Sequence, residues 1–113
     1  MKIERQRYIL VEYISDDALD EKTFQGAFWQ VFTRLFGEVN ASGVGFYLVY
    51  HSPVSRQMVI RCSHVQRDNV ISALSLTRKV GGKPVACSTR LTSGTLAGLR
   101  RGAENVGSPP EEN

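Results

Sequence analysis

The chain has 113 residues and a mass of 12.6 kDa, with 42% hydrophobic and 22% charged residues. That is enough for one modest core, too little for two domains, and too ordinary in composition for wholesale disorder. No apolar run approaches the roughly 20 residues needed to span a bilayer, and the start, MKIERQRYILVEY, lacks the apolar segment and small-residue cleavage site expected of a secretory signal. The net charge of +3 is unevenly laid out. Residues 1–55 hold five Lys/Arg against seven Asp/Glu, residues 56–103 nine against one, and residues 104–113 none against three. Such asymmetry points to a polyanionic partner, RNA or DNA, with a solvated basic surface as the alternative.

Arg7 to Ile14 (RYILVEYI) is rich in branched and aromatic residues and predicts a strand. Ser15, Asp16 and Asp17 break it and offer helix caps. Phe24, Ala27, Phe28, Val31, Phe32 and Leu35 then recur at helical spacing, with Trp29 off the stripe and partly exposed. Asp16, Asp17, Asp20 and Glu21 suit the positive end of that helix dipole, and Gly37 is placed to end the helix. Gly43 and Gly45 flank a turn into a second strand, Phe46 to His51, which Ser52-Pro53 interrupts. Met58 to Ser63 predicts the third strand. Ser63 to Gln66 matches the S-x-x-Q capping box of a second helix bearing Val70, Ala73, Leu74, Thr77 and Val80. Gly81-Gly82 stops that helix, and Lys83-Pro84 leads into a fourth strand, Val85 to Thr92. Ser93-Gly94-Thr95 caps a short last helix, Leu96 to Arg101.

The fold class is therefore α+β, a ferredoxin-like (RRM-like) βαββαβ sandwich. A four-stranded antiparallel sheet in the order 4-1-3-2 carries two helices on one face, leaves the other face open, and adds a short C-terminal helix. Residues 1–103 form the single domain, and residues 104–113, without apolar periodicity, are expected to be a mobile tail. Strand alternation predicts Met58, Ile60 and Cys62 facing the helices with Val85, Cys87, Thr89 and Leu91, and Arg61 and Arg90 on the open face. Strands three and four flank strand one, which predicts Cys62 and Cys87 about 9–10 Å apart and both reduced.

No convergent catalytic set can be assembled. His51 and His64 stand alone in the sequence, and Gly81-Gly82-Lys83 lacks the phosphate-loop frame and follows a helix instead of preceding one. An acylphosphatase-like enzyme needs a basic anion loop after the first strand, where this chain reads SDDALDE. An RNA-recognition motif would carry stacking aromatics on its third strand; SRQMVIRC carries none, which argues against base stacking. What remains on the basic half is Arg56, Arg61, Arg67, Arg78, Lys79, Lys83, Arg90, Arg100 and Arg101, with Ser93, Gly94 and Thr95 opening the last helix. Guanidinium forks and free helix-start amides suit phosphates more than base edges. These twelve residues are the candidate RNA-binding set, expected to converge on one outer surface.

RYILVE, LFGEV after the first helix, YHSPVSRQMVIRC across the hairpin, the Ser72 to Leu74 triplet, GGKPV, and LTSGTLAGLRR from Leu91 to Arg101 occur in an order that resembles the Pop-five family, the small ribonuclease P protein of archaea and eukaryotes, over about residues 5–101. The resemblance implies a non-catalytic subunit that binds and stabilises the catalytic RNA during removal of the 5′ leader from precursor tRNA, and that also serves the MRP particle in eukaryotes. It implies enzymatic activity only as part of the holoenzyme, with magnesium on the RNA and no cofactor bound by this chain. It implies as partners ribonuclease P RNA, precursor tRNA, a TIM-barrel-like ribonuclease P subunit (component 3, Rpp-thirty) and other ribonuclease P proteins, with no membrane. The location implied is the nucleus or nucleolus in a eukaryote and the cytoplasm in an archaeon. At Ala97 and Gly98 the chain departs from the family's last helix, and Gly98 weakens that helix by about 1 kcal/mol relative to Ala. The competing reading is a protein-interaction module with incidental RNA contact.

Overall fold

A computed structural model describes residues 5–107. In chain order the elements are β1 (Gln6–Ile14), α1 (Glu21–Ser42), β2 (Tyr47–Ser52), β3 (Gln57–Ser63), a 3-10 turn (His64–Gln66), α2 (Arg67–Leu76), β4 (Lys79–Val80), β5 (Lys83–Pro84), β6 (Ala86–Ser93) and α3 (Leu96–Gly107). The four long strands make one antiparallel sheet in the order β2-β3-β1-β6, the ferredoxin-like arrangement. Alternation puts Ile9, Val11 and Tyr13 of β1 and Met58, Ile60 and Cys62 of β3 on the face that α1 and α2 cover, and all six are buried. Phe24, Phe28 and Phe32 of α1 and Val70, Ala73 and Leu74 of α2 complete that core.

Helix α1 departs from the expected stripe at both ends. Its cap is Asp20, whose Oδ2 accepts from the Thr23 amide at 3.0 Å and the Thr23 hydroxyl at 2.8 Å. At the other end Gly37 interrupts the helix at φ 86° but does not terminate it; the chain turns helical again as far as Ser42. Leu35, expected on the apolar stripe, is 43% exposed, and Phe36 instead packs on Phe32 with ring centroids 5.0 Å apart. The Thr23 bonds hold the Asp20 carboxyl below its usual 3.8. A depressed carboxyl stabilises the fold above the unfolded-state value and loses that contribution as pH falls through the folded-state value. Asp20→Asn keeps an acceptor without the titration. In thermal unfolding, the wild type should lose its advantage over this variant as pH is lowered from about 6 to about 2.

The S-x-x-Q box does not form. Ser63 ends β3 in a buried position, its amide donates to Val44 O at 2.8 Å, and its hydroxyl makes no capping bond. Gln66 precedes α2 and ties to Asn69 at 2.9 Å instead. Gly81 and Gly82 do not stop the second helix: α2 already ends at Leu76, Thr77 caps it, and Val80 lies on β4. With φ of 61° and 79° they make the two-residue turn of the β4–β5 hairpin, a conformation that only glycine adopts without strain at both positions.

Two further expectations fail for reasons of register. Cys62 lies opposite Arg7 and Cys87 opposite Tyr13, six residues apart along β1, so about 20 Å separates the thiols, not 9–10 Å. Both are free, and burial pushes each up to about 11, neutral at physiological pH. In β6, the partner of Leu10 is Leu91 and the partner of Val11 is Thr89, so Arg90 is a bulged extra residue. Cys87 and Thr89 keep the helix side, but Leu91 turns to the opposite face. There α3 covers part of the sheet that was expected to be open: Leu99 is buried, and a Cβ on Gly102 would touch Leu91 at 3.4 Å. The last helix also runs beyond Arg101 to Gly107. Of the expected tail, residues 108–113 lie outside the described residues.

Candidate nucleic-acid interface

The candidate cations divide between two ends of the sheet. One end is built from the start of β1, the end of β3 and the end of β6, because Gln6 pairs with Ser63 and Tyr8 with both Arg61 and Ser93. Arg61 and the α3 start at Ser93, Gly94 and Thr95 gather here, with Arg67 at the nearby start of α2. Thr95 Oγ1 accepts the Gly98 amide at 2.9 Å, and Ser93 Oγ accepts the Thr95 amide at 3.3 Å. Gly98 is more than a weak spot in α3. A Cβ there would lie 2.5 Å from Ser93 Oγ and 3.0 Å from Thr95 Oγ1, so glycine makes room for both capping hydroxyls.

The opposite end is acidic. Lys83 Nζ pairs with Asp17 at 3.1 Å, and Arg56 Nη2 donates to the Asp16 carbonyl at 3.4 Å. The Arg56 carbonyl also accepts the Tyr13 amide at 2.9 Å, so this residue, at φ 58°, ties the β2–β3 loop to β1. Arg78 and Lys79 are exposed where α2 gives way to β4, and β4 packs on α1. Arg90 reaches Glu12 at 3.6 Å on the outer sheet face, and Arg67 pairs with Asp68 at 3.3 Å. The nine cations therefore share no single surface, because the acidic segment after β1 folds back among part of the basic half. Exposed pairs of this kind contribute about 0–1 kcal/mol. Arg100 and Arg101 stand exposed on α3 with no ion pair among the described residues.

Sequence reasoning missed Arg7. Its Nε donates to His64 Nδ1 at 2.9 Å, and its guanidinium sits so close to Gly94 that a Cβ there would be 2.7 Å from Nη1. Arg7 thus adds positive charge to the positive end of the α3 dipole. The signal was its place at the start of β1, legible only once β6 is known to return beside it. His51 is not isolated either. Its side chain is 4% exposed, Nε2 lies 2.6 Å from the Tyr13 hydroxyl, and Nδ1 lies 3.3 Å from Glu21 Oε2. The Leu19 amide donates to the Tyr13 oxygen at 3.2 Å. With that bond made, the Tyr13 proton can go to Nε2 and the Nδ1 proton to Glu21, satisfying every group. The chain of bonds fastens the start of α1 to the sheet. Among the described residues no three of His, Cys, Asp and Glu are grouped to hold a metal ion.

The geometry is that of a ferredoxin-like protein whose outer sheet face, flanked by a helix start and by arginines, is partly roofed by α3. Residues 7–103 match the Rpp14/Pop5 family, and the chain belongs to that family. Relatives named ribonuclease P protein component 2 include those of Pyrococcus abyssi, 26% identical over 98 residues (87% of this chain and 83% of the relative), and Aeropyrum pernix, 29% identical over 107 residues (93% and 87%). That of Archaeoglobus fulgidus is 32% identical over 97 residues, 86% of each chain. Among solved structures, a chain of yeast ribonuclease MRP superposes with a TM-score of 0.66 over 93% of both chains at 18% identity, a likeness of fold. No helix among the described residues is long and apolar enough to cross a membrane.

Proposed function

We propose that this chain is a non-catalytic protein subunit of ribonuclease P, and of MRP in a eukaryotic source, that binds and stabilises the catalytic RNA while the 5′ leader is removed from precursor tRNA. The observation that carries the reading is family membership across residues 7–103. The sheet end with Arg7, Arg61 and the α3 start, together with Arg100 and Arg101, supplies the phosphate contacts. Magnesium belongs to the RNA, and a TIM-barrel-like subunit is the protein partner. Neutralising about four phosphates should make affinity for ribonuclease P RNA fall roughly 50- to 150-fold between 50 and 200 mM salt. Filter binding at several salt concentrations measures this, and an affinity indifferent to salt would sink the phosphate reading. The second reading, a protein-docking module, is favoured by Ile14 and Val54, which are 76% and 95% exposed near the acidic end of the sheet. Under it, charging these two would abolish assembly with the partner subunit and leave RNA affinity intact.

A further inference from the structure

On a regular strand, Tyr47 and Tyr50 would point to opposite faces, because they are three residues apart. In β2 they do not. Tyr47 pairs with Arg61 and Tyr50 with Val59, two residues apart on β3, so a bulge at Val49 brings both tyrosines to the outer face. They are 56% and 57% exposed. The same pairings lay Tyr8, Arg61 and Tyr47 side by side across β1, β3 and β2. The Arg61 guanidinium carbon stands 5.0 Å from the centre of the Tyr47 ring, and its Nε is buried without a hydrogen-bond partner. Beside this row Tyr50 forms one wall of a groove of about 550 Å³, lined by Leu10, Val59, Leu96, Leu99 and Arg100.

We infer that this strip of the outer face, from Tyr47 to the groove beside α3, is a stacking site for unpaired nucleotides of RNA. The inference rests on the RNA-binding reading above and names what part of the RNA this face takes. A nucleotide needs a flat ring to stack on and a cation for its phosphate. Tyr47 and Tyr50 offer exposed rings, and Arg61 and Arg100 place positive charge at the two sides of the strip. Charge complementarity selects the polyanion over an apolar peptide: the outer-face carboxylate Glu12 is already engaged by Arg90 at 3.6 Å and Gln57 at 2.9 Å. The base must be unpaired, because in a duplex its faces are covered by neighbouring pairs. The groove volume falls within the roughly 300–1,000 Å³ of small-ligand sites. The third strand carries none of the aromatics expected of an RNA-recognition motif. Here the rings come from the neighbouring edge strand.

The test uses the full chain, a fluorescently labelled unstructured RNA of mixed A and U, and a duplex of equal length, read by anisotropy at fixed salt. Tyr47→Ala and Tyr50→Ala should each weaken binding of the unpaired RNA roughly 5- to 100-fold and leave duplex binding unchanged. Tyr50→Phe, which keeps the ring, should behave as wild type. The proposal is overturned if the alanine variants bind unpaired RNA normally. If duplex binding persists with its salt dependence, the phosphate reading then survives alone. An equal loss on both RNAs also overturns it, as does wild-type protein that binds neither, an outcome that removes the broader reading too. Unpaired-RNA binding that survives Tyr50→Ala while assembly with the partner subunit is lost would give this face to a protein.

Discussion

Replacing Phe28 with alanine should lower the stability of this protein by about 3–5 kcal/mol, the cost of removing a large buried aromatic and leaving a cavity. Phe28 is fully buried at the centre of a ring cluster. It stacks on Phe46 with centroids 4.4 Å apart and planes 21° apart. It meets Trp29 edge-on at 5.4 Å and lies 6.4 Å from Phe24 and 5.8 Å from Phe32. Truncation would strip the cover from all of them, and each aromatic pair carries about 0.5–1.5 kcal/mol beyond its buried area. A protein of this size has about 5–15 kcal/mol in total, so the variant should retain at most part of its fold at 37 °C. Urea unfolding measures the change. Phe28→Leu should lose less, and Leu35→Ala, on the same helix but exposed, should lose little. A Phe28→Ala protein as stable as Leu35→Ala would contradict the packing described.

The largest effect on binding should come from Arg100→Ala combined with Arg101→Ala. Both side chains are exposed and neither is engaged by a carboxylate among the described residues. If each holds one phosphate, the slope of log affinity against log salt should fall by about 2, and affinity for ribonuclease P RNA at 0.1 M salt should drop roughly 25- to 60-fold. Circular dichroism should be unchanged, since neither residue contributes to the core. Lys83→Ala is the informative control. It removes one positive charge, half as many, at the acidic end, from a residue already paired with Asp17, and should weaken binding less than about threefold. Equal effects per charge removed at the two ends would mean that net charge, and not place, governs the interaction.

Much of the architecture was written in local pattern. The six-residue stripe of α1 and the branched strands gave element types and order, and the order alone implied the sheet. The motif series from RYILVE to GLRR carried the family. What was illegible is what depends on parity and on distant pairing. Neither Val49 nor Arg90 is a glycine or proline, so nothing local announced that an extra residue sits there, yet those two bulges decide where Tyr50 and Leu91 point. The Ser93-Gly94-Thr95 cap of α3 was legible, but the caps of α1 and α2 were misplaced because several nearby side chains could serve, and only backbone geometry chose Asp20 over its neighbours. His51 looked solitary because its partners are 38 and 30 residues away. The basic half looked like one surface because a count of charges along the chain does not register which acids fold back among them.

The surplus residue in β6 has a consequence for how this gene can change length. Shortening a strand by one residue ordinarily turns everything beyond the cut upside down, sending oily side chains into water and charged ones into the interior. At Arg90 the reverse holds: removing it would leave Thr89 and Leu91 opposite the β1 residues they already face, and the strand would become regular without any neighbour changing sides. Elsewhere in β6, single-codon deletions should be purged, while this one position can be lost with only the Glu12 contact forfeited.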